Sequence, residues 1–585
     1  MTHDLQPFAV EYRTNPSLSE LRELALAHTP ALFETALGSL VKVSRNKARQ
    51  ARFTYVIADR STASQYSHQL IEPARAQALI DRQQAYIEAK GELIDVRGYL
   101  GLGPRAVPVQ WLYTVEGANI AGMQRVLSFP PEAVLEDGAP FQATMQVIYT
   151  PDLFLEDMPG RQAILVDLER YRTYIMGPDY FGESKKAALR MLNHLVYQQG
   201  GLVLHAGAKL VEAEDAAMTM TVMGLSGTGK TTTTFSKQGE VTRPIQDDMV
   251  AIWPGGELSI TENGCFAKTF GLTADSEPVI HRGTCSADAW LENVYIDEHG
   301  QPDFFKARLT PAEVARMREV LVLTGSDPAH LDRYIAGEVA FDDVVDDNGV
   351  PLDGWDFVVW TANGRSILPM SSVEDAADLT AIPAVHSMGI LNRDEGHDAA
   401  TPGLVRFTSP AQAAGYFMLG ETSKTSAAGK DRGKTRSPFT QPFFPLAFGL
   451  QAERFSALAA TMPDVGMWLM NTGYVGGDAR SVASGEGLKV KIRHSSAMLE
   501  ALLRGAVTWK RDPDFGYEVV DVDAPENAAL VEAVPVAILD PRRHYSETGR
   551  ADVYGDWVRR MKGERAEFLG RYAVAPSIIE AVSGT

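Results

Sequence analysis

Two cysteines, Cys265 and Cys285, serve 585 residues. That scarcity excludes a disulfide framework or a Cys-rich zinc site, and it favours a reducing compartment, the cytoplasm. Positive charge is also short: 55 Lys and Arg stand against 75 Asp and Glu, for a net charge of −20 at pH 7. Nucleic acid is therefore not an expected partner, because proteins that bind a bulk polyanion carry a basic field. A local pocket for one small anion stays open. No run of 18 apolar residues occurs, so no membrane span is expected. The opening MTHDLQPFAVEYR has no basic segment followed by an apolar run, and a signal peptide is not expected either. Internal repeats and long low-complexity tracts are missing as well.

What is present has an ordinary globular composition, 45% hydrophobic and 22% charged. The length exceeds what one core usually serves, so two or more domains are expected. SLSELRELALAHTPALFETALGSL has apolar residues at helical spacing after a Ser cap. FTYVIADR reads as a short strand running into a turn, and ESKKAALRMLNHLVYQQGG as an amphipathic helix ended by glycines. GLVLHAGAKLV and MTMTVMG read as two strands joined by a short turn. KTTTTFSKQ then opens a helix, and IQDDMVAIW looks like the next strand. TENGCFAKTF and GWDFVVWTANG suggest further sheet. ETSKTSAAGKDRGKTR, Glu421 to Arg436, reads as a solvated mobile loop.

The strand-to-helix junction carries the strongest motif. Gly224, Leu225, Ser226, Gly227, Thr228, Gly229, Lys230 and Thr231 fit G-x4-G-K-[ST] in full, and Thr232 follows. The glycines let main-chain amides close around phosphate oxygens. The Lys reaches the terminal phosphates, and the Thr hydroxyl helps to hold a divalent metal. Seventeen residues after Lys230 comes the acidic pair Asp247-Asp248. In most switches and motors with such a loop the acidic strand lies much further along. The short interval points to an unusual family.

An ordered set of motifs then becomes specific. YFGESKK (Tyr180 to Lys186), LHAGAK, GLSGTGKTT, ENGCFAKT (Glu262 to Thr269), LENVYIDEHGQPDF, NGRSILP, MNTGYVGG and ILDPR follow one another along the chain. Together they resemble the ATP-dependent phosphoenolpyruvate carboxykinase family, from about Phe53 to about Tyr572. The resemblance implies a two-domain α/β fold. An N-terminal substrate-binding domain would span residues 1–200, and a C-terminal nucleotide-binding domain residues 201–585, with the phosphate loop on a mixed sheet and a lid at about 421–436. It implies conversion of oxaloacetate and ATP into phosphoenolpyruvate, ADP and CO2, a gluconeogenic reaction. Mn2+ would be held by Lys186, His205 and Asp248, and Mg2+ would travel with ATP and bind Thr231. Lys230 would neutralise the transferring phosphoryl group. Asp247 would accept hydrogen bonds from metal-bound water, and Lys185 would add positive charge beside Lys186. Arg60 would grip a substrate carboxylate, and Arg365 would span substrate and γ-phosphate, since a planar fork bonds two oxygens at once. Tyr180 would lie beside the enolate, with Ser226 and Lys268 on substrate or phosphates. The implied partners are small molecules alone, and a monomer is among the open assembly states.

The periphery departs from the family pattern. R-S-P-K-D-K-Y has become Arg60-Ser-Thr-Ala-Ser-Gln-Tyr66, and H-C-S-A-N has become His205-Ala-Gly-Ala-Lys209. G-D-D-E-H has become Gln246-Asp-Asp-Met-Val250, and a family Arg near the adenine aligns with Ser496. Base identity and acceptor acid therefore stay open. A divergent kinase of the same fold, acting on another small acid or a protein hydroxyl, is the alternative. A nucleotide-binding regulator without turnover is the third reading.

Overall fold

The computed structural model describes residues 5–47, 50–136, 138–213, 216–225, 228–236, 241–346, 349–424, 433–441, 443–484 and 487–584. It is a mixed α/β structure in which the chain forms two compact units. The first comprises Met1–Leu195, Thr261–Glu374 and Pro442–Leu446; the second comprises Val196–Ile260, Asp375–Gln441 and Ala447–Thr585. The first boundary lies between Leu195 and Val196. Two later segments, however, join the first unit rather than the second.

In the first unit an eight-stranded sheet runs in the order Glu11–Thr14, Glu92–Leu100, Val107–Tyr113, Met145–Thr150, Arg172–Met176, Ala163–Asp167, Thr54–Ile57 and Gln69–Ile71. Its pairings are parallel except two, Glu92–Leu100 with Val107–Tyr113 and Arg172–Met176 with Ala163–Asp167, which are antiparallel. Leu79, Ile80 and Ile87 of the helix Pro73–Lys90 recur at helical spacing and pack on Leu93, Leu112, Ile148 and Leu165 of that sheet. A five-stranded sheet joins Gly264–Lys268, Arg365–Pro369, Trp290–Glu292, Leu40–Lys42 and Leu32–Glu34. It brings the NGRSILP and ENGCFAKT motifs side by side in antiparallel register.

The second unit is built on another eight-stranded mixed sheet. Its order is Val241–Gln246, Ala206–Ala213, Ala216–Met223, Ser387–Asn392, Gly466–Asn471, Leu404–Arg406, Glu518–Val520 and Trp509–Arg511. The first three strands are antiparallel, and the next two pairings are parallel. Met220, Val222, Leu391, Trp468 and Met470 fill one face against Met498, Leu499 and Ile538.

Local expectations fare unevenly. The first helix, Leu18–His28, has a complete capping box between Ser17 and Glu20. It stops at Thr29-Pro30, and Leu32–Glu34 becomes a strand, so the helical reading runs too far. The helix Phe181–Gln198 exists, but most of its residues are buried on every side. It is a core helix rather than an amphipathic one. GWDFVVWTANG forms a 3-10 helix, Asp356–Asn363, and not a strand. Within Glu421–Arg436 the ends pair as strands, Glu421–Lys424 with Gly433–Arg436, while 425–432 lie outside the described residues. Those ends are tied down: Glu421 accepts from Arg436 and Arg565, and Arg436 also reaches Glu564. Among the described residues no helix is long and apolar enough to cross a membrane.

Candidate active site

In the first unit the site grows from the helix Phe181–Gln198, which opens with the YFGESKK motif. Glu183, Lys186 and Arg190 stand at i, i+3 and i+7 and so share one face. The fully buried Glu183 receives the Lys186 ammonium at 3.2 Å, the Arg190 guanidinium at 3.2 Å and the Gln50 main-chain N–H at 2.8 Å. Burial alone would raise the Glu183 pKa; the two cations outweigh it and hold the group at about 2. Lys185 turns to a different wall and pairs with the buried Glu262 at 2.9 Å.

Tyr180 stands at the start of this helix with the Lys186 ammonium 5.4 Å from its ring centre. Its hydroxyl accepts from Asn363 Nδ2 at 3.4 Å, and Asn363 Oδ1 accepts from Arg365 at 3.1 Å. Arg365 and Lys268 are direct cross-strand partners. The Phe266 ring lies 5.0 Å from the Arg365 guanidinium and 5.2 Å from the Lys185 ammonium. Burial raises the Tyr180 pKa against the pull of Arg365. Desolvation and Arg365 lower that of Lys268. Lys185 and Lys186 are thus each paired with a buried acid, whereas Arg365 and the exposed Lys268 stand opposite each other on paired strands, where two cations can meet an anion.

Arg60 is elsewhere. It starts the 3-10 turn Arg60–Gln65, its side chain is 84% exposed, and it pairs with Glu72 at 3.5 Å. It joins none of the contacts above. Beyond that turn His68 is half-buried, and desolvation and the charge of Arg190 hold its pKa down at about 3, keeping it neutral. Its Nδ1 lies 2.8 Å from the Ser67 hydroxyl.

In the second unit the strand Ala216–Met223 leads through Gly224 and Leu225 to Thr228 and Gly229, and the helix Lys230–Phe235 follows. Ser226 and Gly227 lie outside the described residues. Gly229 has φ of 92°, the left-handed conformation that glycine adopts freely, and it turns the chain into the helix. Thr228 ties the loop in two ways: its hydroxyl donates to the Leu225 carbonyl at 2.8 Å, and its own carbonyl accepts from Thr472 at 2.9 Å. Thr231 and Thr232 occupy the first turn of the helix and are half-buried.

Asp247-Asp248 sit in a bend between Val241–Gln246 and Val250–Ile252, so the acidic pair ends one strand. Asp247 is buried. The Asp248 carboxylate receives the Lys230 ammonium at 2.7 Å, and the same oxygen lies 2.9 Å from His205 Nε2. His205 interrupts the strands Leu202–Leu204 and Ala206–Ala213. Its Nδ1 lies 3.0 Å from the Phe439 carbonyl. Burial and the Lys230 charge lower the His205 pKa, which favours the neutral ring. With Nδ1–H donating to Phe439, Nε2 turns a lone pair toward a carboxylate oxygen. The same carboxylate oxygen already has the Lys230 ammonium as a counter-charge, and a carboxylate beside a neutral imidazole is a donor pair that a divalent metal accepts.

The proposed sites are thus divided. Lys185, Lys186, Tyr180, Lys268, Arg60 and Arg365 belong to the first unit; His205, Lys230, Thr231, Asp247 and Asp248 belong to the second. Sequence reasoning passed over Glu183, Glu262, Phe266 and Asn363, although all four lie inside or beside motifs it singled out. The signal was charge balance: two adjacent buried lysines require acids close by.

The family model for phosphoenolpyruvate carboxykinase matches residues 10–318 and 343–526 of this chain. Among similar curated proteins is the phosphoenolpyruvate carboxykinase (ATP) of Mesorhizobium japonicum, 29% identical over 420 residues, which covers 68% of this chain. The match takes in 64% of that relative's length, somewhat under two thirds. The protein of the same name from Sinorhizobium fredii is 27% identical over 605 residues, covering 98% of this chain and 95% of the relative. That from Cereibacter sphaeroides is 29% identical over 407 residues, covering 66% of this chain and 61% of the relative.

Proposed function

The chain belongs to the phosphoenolpyruvate carboxykinase family, and from that premise we propose that it converts oxaloacetate and ATP into phosphoenolpyruvate, ADP and CO2. The observation that carries the reading is the pairing of His205 Nε2 with the Asp248 carboxylate, beside the ammonium of Lys230, the lysine of the G-x4-G-K-[ST] motif. A kinase acting on an unrelated hydroxyl has no use for a second metal site built from a strand histidine and this acid.

On this reading Lys186, His205 and Asp248 hold Mn2+, and Thr231 holds the Mg2+ that accompanies ATP. Bound, these ions supply Lewis-acid stabilisation of the developing enolate oxygen and of the triphosphate. The motif Gly224 to Thr232 would offer its main-chain N–H groups to the phosphates, Ser226 and Gly227 of that motif lying outside the described residues. Lys230 offsets the charge that builds on the transferring phosphoryl group. Asp247 orients metal-bound water. Arg365 and Lys268 fix the acid and the γ-phosphate in one frame, because their strands are paired residue to residue. Tyr180 lies against the enolate, with Asn363 orienting its hydroxyl. Arg60 is exposed and would exchange its ion pair with Glu72 for the remaining carboxylate when substrate arrives. Lys186 needs to lose its proton to ligate, and Lys185 raises the local positive charge that favours this. The substrates are small molecules, and the cytoplasm is the compartment the reading expects.

The test is direct. Purified protein with Mn2+, Mg2+ and ATP is expected to consume oxaloacetate and release phosphoenolpyruvate. Absence of product with ATP, GTP and pyrophosphate alike would overturn the reading and favour the divergent kinase.

A further inference from the structure

One departure from the family motif, the lysine at position 209, is left without a role by this reading. Lys209 lies on the strand Ala206–Ala213, and its side chain has no solvent exposure. Its ammonium donates to the carbonyl of Thr233 at 2.5 Å and to that of Ser236 at 3.3 Å. Both acceptors belong to the far end of the helix Lys230–Phe235, whose first residues are Lys230 and Thr231.

A helix end leaves carbonyls without intrahelical partners and carries partial negative charge. A six-residue helix is too short to hold itself by its own hydrogen bonds. Its axial position must come from what grips its ends. Gly229 shapes the near end, and Lys209 clamps the far one. Packing adds a second restraint: a Cβ on Gly207 would collide with the Thr234 hydroxyl, so strand and helix touch at van der Waals distance two residues from Lys209. Burying an ammonium is costly, and burial lowers the Lys209 pKa to about 7. A side chain kept in such a place marks a contact the fold cannot lose cheaply.

We propose that Lys209 is a positioning residue for nucleotide binding. It pins the C-terminal end of the helix Lys230–Phe235 so that Lys230 and Thr231 meet the phosphates in register. The inference rests on the nucleotide role proposed above for that loop.

The experiment measures MgATP binding by titration calorimetry without turnover, together with the KM values for ATP and oxaloacetate. Lys209→Met is expected to weaken MgATP about tenfold and to raise KM for ATP to match. Phosphoenolpyruvate binding and KM for oxaloacetate should stay within twofold. Should the Met variant fail to fold, Lys209→Gln, which keeps a donor without the charge, carries the same expectation. Unchanged MgATP affinity in a folded variant would overturn the proposal, as would equal weakening of MgATP and phosphoenolpyruvate, which marks a merely structural role. A wild-type protein that binds no MgATP overturns it too. A wild type that binds MgATP but makes no phosphoenolpyruvate defeats the carboxykinase reading alone, and the binding comparison still decides the role of Lys209.

Discussion

Replacing Arg565 by Met tests what holds the strand pair Glu421–Lys424 and Gly433–Arg436 in place. The Arg565 side chain is 2% exposed and Glu421 is 6% exposed. Arg565 donates to Glu421 Oε1 at 2.8 Å, to Oε2 at 3.3 Å and to the Tyr416 hydroxyl at 2.9 Å. Breaking a buried ion pair from one side costs about 3–5 kcal/mol, because a charge is left uncompensated. Arg436 still reaches Glu421 at 2.8 Å, so the lower end applies, about 3 kcal/mol. For a domain of this size that lowers Tm by about 6–12 °C. Adding Glu421→Gln should recover part of the loss, since removing both charges is often close to neutral. The dependence on pH follows. Burial pushes the Glu421 carboxyl up, but Arg565 and Arg436 outweigh it and hold its pKa below the ordinary 4.5. The stabilisation is therefore complete above about pH 4.5 and drains as pH falls toward the folded value. Wild type and variant should converge in acid. Urea unfolding followed by Trp557 fluorescence reads the effect, since Trp557 packs edge-on against Phe515, and Phe515 lies 5.0 Å from the Arg565 guanidinium. A loss under about 1 kcal/mol at pH 7, or a double variant as weak as the two single losses added together, would refute the reasoning.

Other expectations are as concrete. Burial pushes the Glu292 carboxyl up to about 8, with Phe181 N–H opposing, and its Oε2 has no hydrogen-bond partner among the described residues. Folding then takes up a proton near neutrality, so stability is full below about pH 4.5 and falls as pH rises toward 8; Glu292→Gln should stabilise by about 3 kcal/mol at pH 7 and by little at pH 4.5. Equal urea midpoint shifts at both pH values would count against it. Gly207→Ala should weaken MgATP at least about tenfold by pushing the helix Lys230–Phe235 off its strand, and Thr234→Ala in the same chain should restore part of the affinity; calorimetry decides. Lys186→Ala or His205→Ala should leave MgATP binding largely intact and abolish decarboxylation, and near-normal turnover in both would show that the metal assignment is wrong.

Elements with a local cause were legible. Ser17 and Glu20 announce a helix start, and the glycines after Gln198 announce an end. The phosphate-loop pattern is contiguous, so strand, loop and helix could be placed from it. Elements whose cause is distant were not. Leu32–Glu34 has helical spacing yet becomes a strand because Leu40–Lys42 pairs with it, and that strand in turn pairs with Trp290–Glu292. DFVVW has strand composition, yet its apolar residues enter a cluster with Leu309, Leu321 and Tyr334 that a 3-10 turn serves better. In the site, the residues proposed for the chemistry lie in contiguous motifs. Their buried counter-charges, Glu183 and Glu262, are fixed by the fold.

The division of the first unit into three stretches of chain has a consequence for synthesis. On the ribosome, the strand Leu40–Lys42 emerges some 250 residues before its neighbour Trp290–Glu292. The backbone edge it offers stays open through that interval, and an open edge can recruit any passing strand. Pro442–Leu446, the last piece of the unit, follows after most of the chain has left the exit tunnel. Until residue 290 is made, the open edge of Leu40–Lys42 is an aggregation hazard for the nascent chain. A stall anywhere before residue 290 would release a fragment whose first unit lacks a strand of its five-stranded sheet and whose open edge favours aggregation.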